Sequence, residues 1–89
     1  MLNIKHIAAD LKSPILILRG KLMKDEAVEL KRACEQYLKE RKKLTLNLGE
    51  ITFIDIYGIK ALRELIRQEV KLSNCSFYIF TMVETLNGC

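Results

Sequence analysis

Between Leu44 and Leu62 the spacing of apolar residues changes from every second position to every third or fourth, and the change falls on a carboxylate, Asp55. Leu44, Leu46 and Leu48 alternate with Thr45 and Asn47, the period of a strand with one face in a core. Beyond Asp55, Ile59, Leu62, Leu65, Ile66 and Val70 fall on one side of a helix. This pattern predicts a buried strand over 44–48, a tight apolar loop over 49–54 and a helix from about Tyr57 to Leu72. Asp55 is placed to accept a hydrogen bond from the free N–H groups of the first helical turn, and Gly58 leaves the backbone there accessible.

Elsewhere the same rules predict a first strand, Leu2 to Ala9, a turn over 10–14, and a second strand, Ile15 to Arg19. Pro14 suits the start of that strand because it has no N–H to give to a ladder, and Gly20 ends it. Ala27, Leu30, Ala33, Cys34, Tyr37 and Leu38 mark an amphipathic helix from Lys24 to about Arg41. Its acidic residues come early and its basic residues late, both favourable to the helix dipole. Ser73-Asn74-Cys75 reads as a turn. Ser76 to Thr81 is aromatic enough to be a fourth strand, and Val83 to Leu86 begins a short last helix. The order is that of a small α/β domain with helices on one face of a sheet.

Eighty-nine residues, 49% of them hydrophobic, make one domain with a core of its own. The longest clean apolar run, Ile15 to Leu18, is far short of the roughly 20 residues that cross a bilayer. The first residues lack the apolar core of a signal peptide, so a cytoplasmic location and no membrane insertion are expected. Cys34, Cys75 and Cys89 are odd in number and lack metal-ligand spacing, which argues against a disulfide framework and a zinc site. A net charge of +4 without a recognised motif or aromatic platform does not point to nucleic acid. Catalysis finds little support. His6 is the lone histidine, the four glycines are scattered rather than forming a phosphate loop, and no cofactor is implied.

The run Leu46-Asn47-Leu48, then Ile51-Thr52-Phe53-Ile54-Asp55 and Gly58-Ile59, resembles the STAS domains, named for sulfate transporters and anti-sigma-factor antagonists. Their pattern is a hydrophobic strand, a short loop, then Asp-Ser-Ser-Gly-Leu opening a helix. Ile15-Leu16-Ile17-Leu18-Arg19-Gly20-Lys21-Leu22 looks like their second strand and the glycine that ends it. The resemblance implies a mixed sheet of four or five strands with helices packed on one face, residues 1–89 forming a single STAS-like domain whose last helix is shortened. It also implies a non-catalytic module of bacterial transcription regulation. In such partner-switching systems the domain binds an anti-sigma kinase and frees a sigma factor.

The departures bear on control. The serine that a partner kinase phosphorylates in the family's bacterial regulators is here Ile56, and the second serine is Tyr57. The acidic residue that often follows the second strand is missing, with Met23 and Lys24 near its place. A hydrocarbon at 56 cannot take up the charge of about −2 that phosphorylation adds. Tyr57 and Thr52 are the nearest other hydroxyls. The expected partner surface comprises Thr52, Asp55, Ile56, Tyr57, Gly58, Lys60, Arg63 and Arg67, where Lys60, Arg63, Arg67 and Lys71 form a basic stripe along the second helix. Two other roles occur among similar domains. One is a cytosolic accessory subunit of an ABC-type lipid transporter, and the other is nucleotide binding.

Overall fold

The computed structural model describes residues 2–7 and 13–86. Seven elements follow in the order β1 (Leu2–Ile7), β2 (Ile15–Leu22), α1 (Lys24–Lys39), β3 (Thr45–Ile54), α2 (Ile56–Arg67), β4 (Lys71–Ser73) and α3 (Phe77–Leu86). The sheet order is β1-β2-β3-β4. Strand β1 runs antiparallel to β2, while β2, β3 and β4 are parallel, so the sheet is mixed as expected. Leu16, Leu18 and Leu22 of β2 and Leu46, Leu48 and Ile54 of β3 join Leu30, Ile59, Leu62, Leu65, Ile79 and Val83 in one buried cluster. All three helices therefore cover the same face of the sheet. The expected end of β1 near Ala9 and most of the 10–14 turn lie outside the described residues, as does Cys89.

Four expectations need correction. Gly20 does not end β2; the strand continues to Leu22 through a φ of 109° at Gly20, a backbone region closed to most side chains. Residues 49–54 are not a loop. They complete the ten-residue strand β3, whose register against the eight residues of β2 slips twice, between Ile17 and Arg19 and between Gly20 and Lys21. Each slip places an extra residue in β3, which turns the strand over. Inward positions thus become Leu46, Leu48, Ile51 and Ile54, and this step of three hides the strand period.

The second helix stops at Arg67, not Leu72. Glu69 takes a φ of 69° and turns the chain into β4, which pairs Lys71 with Thr45 and Ser73 with Asn47. Residues 76–81 are not a fourth strand either. Ser76 Oγ accepts the Ile79 N–H at 3.1 Å as a helix cap, and Phe77–Leu86 is α3. Aromatic and β-branched content favours a strand in isolation, but packing Ile79 and Val83 at helical spacing into the core outweighs it.

Candidate functional site

Because β2 and β3 are parallel, they deliver their C-terminal ends to one edge of the sheet, and α1 and α2 both start there. Leu22 is followed at Lys24 by α1, and Ile54 is followed at Ile56 by α2. The Asp55 N–H donates to the Leu22 carbonyl at 3.2 Å, tying the two strand ends together. Asp55 is extended at φ −105° and its Oδ1 accepts the Gly58 N–H at 2.9 Å, the expected N-cap of α2. At α1, Glu26 Oε1 accepts the Met23 N–H at 3.2 Å, which restrains the corresponding start.

Gly58 has a different reason for being glycine than the accessibility expected of it. It is buried, and a Cβ there would collide with the Leu22 carbonyl oxygen and lie 2.7 Å from Ile54 Cγ1. The small residue lets α2 press against the joined ends of β2 and β3.

With the cap carboxylate half-buried and Gly58 beneath the helix, several large apolar side chains are exposed at this end. Ile56 is 41% exposed and Tyr57 48% exposed, both on the first turn of α2. Phe53, 51% exposed, and Met23, 37% exposed, lie at the same end and were not among the expected site residues. The two slips cancel in parity, so Phe53 keeps the outward position that plain alternation from Leu44 gives it; reading residues 49–54 as a loop is what hid it. Thr52 is exposed, and with Phe53 it borders a groove of about 320 Å³ whose other wall is Ser76, Tyr78 and Ile79 of the third-helix start.

The expected basic stripe is only partly assembled. Lys60 and Arg67 are exposed on α2, Arg63 is half-buried, and Lys71 belongs to β4 rather than to the helix. What surrounds Tyr57 instead is Lys24, whose Nζ stands 5.4 Å from the ring centroid.

Other polar features lie apart from this end. His6 Nδ1 and the Tyr37 hydroxyl share a 2.9 Å hydrogen bond between β1 and α1. Lys31 and Glu64 join α1 to α2 at 2.6 Å, and Arg19 and Glu50 join β2 to β3 at 2.8 Å; both pairs are exposed and each is worth at most about 1 kcal/mol. Cys34 is buried and burial pushes its thiol up to about 12, while Cys75 is half-buried and raised for the same reason. Among the described residues no group of three or more His, Cys, Asp or Glu could hold a metal ion, and no helix is long and apolar enough to cross a membrane.

Comparison with solved structures places this architecture. The anti-sigma factor antagonist SpoIIAA in its unphosphorylated form superposes with a TM-score of 0.76 at 12% identity, covering 92% of this chain and 82% of that one. The Bacillus cell fate determinant SpoIIAA in its phosphorylated form gives 0.75 at 13% identity, covering 97% and 84%. A crystal structure of Mglu gives 0.61 at 19% identity, covering 76% of this chain but only 18% of that one. No curated protein matches the chain. The family model described as the STAS domain matches residues 5–87, which takes in both halves of the β3–Asp55–α2 junction, and the chain belongs to the STAS domain family.

Proposed function

We propose that this STAS domain is a non-catalytic docking module that binds an anti-sigma kinase or a related regulator through the start of α2, with no serine phospho-switch. The observation that carries the reading is Ile56, 41% exposed on the first helical residue beside the cap Asp55, where the family's regulators carry their phosphorylated serine. Phe53 and Tyr57 extend the hydrocarbon on either side of it in sequence. A phosphate on this surface would bring about two negative charges into an apolar contact and break it. Ile56 has no oxygen to receive one, so the docking state is permanent rather than switched. Within the surface first expected from the sequence, Thr52, Ile56, Tyr57 and Lys60 make contact, Asp55 and Gly58 shape the backbone, and Arg63 and Arg67 lie farther along the helix.

Affinity capture from the native lysate tests this, with wild type, Ile56→Ser and Ile56→Asp as baits. An ATPase-type regulator retained by wild type and lost with Ile56→Asp is the expected result. A permease and its ATPase retained in its place would refute the regulatory reading in favour of the transporter role. Incubation with ATP and the captured kinase should leave residues 52–57 unmodified, whereas stoichiometric phosphate on Thr52 or Tyr57 would restore a switch and overturn its absence.

A further inference from the structure

Resting on that docking reading, we infer the chemistry of what docks: a folded protein surface with an apolar hollow bordered by carboxylates. Three lysines each adjoin one member of the apolar patch. Lys21 is the register partner of Phe53 across β2 and β3. Lys24 lies over the Tyr57 ring, and Lys60 stands one helical turn beyond Ile56. All three are exposed, and among the described residues none of them is ion-paired, whereas Lys31, Lys39 and Lys42 each hold a glutamate.

The carboxylates of this end are committed otherwise. Asp55 and Glu26 each accept a backbone N–H at the start of a helix, where the positive end of the dipole offsets their charge. Among the described residues, Asp25 is the other acid of the first turn of α1, and it is exposed. A partner that covers the hydrocarbon must also cover or border the three ammonium groups. Uncharged surface would strip water from them without compensation, while carboxylates at the border would replace that water and speed encounter.

An anionic membrane offers similar charge, but the relief of the patch disfavours it. Met23, Phe53, Ile56 and Tyr57 are between 37% and 51% exposed, so these four are sunk into the surface to about half their area, and of the large apolar side chains lining the groove only Tyr78, 62% exposed across from Phe53, stands higher. Insertion into lipid requires apolar groups that stand clear of the protein, whereas a low patch suits a shape-complementary protein face.

Selection of a random peptide-display library on the intact chain, followed by amide chemical-shift mapping of the selected peptides, tests the inference. The expected peptides combine aromatic or aliphatic residues with Asp or Glu, shift residues 21–24 and 53–60, and weaken as salt rises. Lys24→Glu should weaken them about tenfold, and Lys24→Arg should restore binding. Thermal unfolding of each variant checks that the fold is kept. Peptides that map to the patch but are basic or uncharged would overturn the acidic border and leave the docking reading standing. Peptides that never map to the patch would overturn both. Recruitment of the chain to phosphatidylserine vesicles, abolished by Lys24→Glu, would overturn the protein partner in favour of a membrane.

Discussion

The Asp55 N–H bonds to the Leu22 carbonyl, and Gly58 packs over that same carbonyl so closely that it has no room for a Cβ. One oxygen therefore sets both the spacing of β2 and β3 and the height at which α2 begins.

Gly58→Ala should be destabilising although alanine is the better helix former by about 1 kcal/mol. The clash is with backbone, which yields less than a side-chain tip, so the upper end of the overpacking cost applies and a net loss of about 2 kcal/mol is expected in urea unfolding. A variant as stable as wild type would show that α2 can lift off the strand ends freely.

Asp55→Ala removes the acceptor for the Gly58 N–H and should cost about 1 kcal/mol, with Asp55→Asn costing less because its amide oxygen can still cap. Chemical denaturation of the two side by side reads the difference. If the alanine variant loses nothing, solvent replaces the cap and the helix start is held by packing alone.

Ile56→Ser and Ile56→Asp should both stay within about 0.5 kcal/mol of wild-type stability, because the side chain is exposed and an acid is tolerated in a first helical turn. Partner binding should nonetheless fall by at least about tenfold with the aspartate. A large stability loss in either variant would mean that Ile56 serves the core rather than the surface.

Cys34 should resist alkylation in the native state, with Cys75 reacting faster. Its thiol is raised from 9.0 to about 12 by burial, so the unfolded chain ionises it first. The resulting stability is fully present below pH 9.0 and is lost as pH rises toward about 12. Cys34→Val should flatten that part of the pH profile; an unchanged slope would assign it to other groups.

Local pattern alone was enough to place the Asp55 junction, the 24–39 helix, the inward Leu46 and Leu48, and the likeness to the STAS family, because each rests on neighbours a few residues apart. Long-range packing decided the remainder. Residues 49–54 became strand because β2 runs on through Gly20 to pair with them, and two register slips replaced the alternation that marks a strand. Residues 77–86 became helix because the Ser76 cap and the core contacts of Ile79 and Val83 outweighed an intrinsic preference worth at most about 1 kcal/mol. That Phe53, Ile56, Tyr57 and Met23 are exposed at one end of the fold was decided in three dimensions, since two strand ends and two helix starts must meet there first.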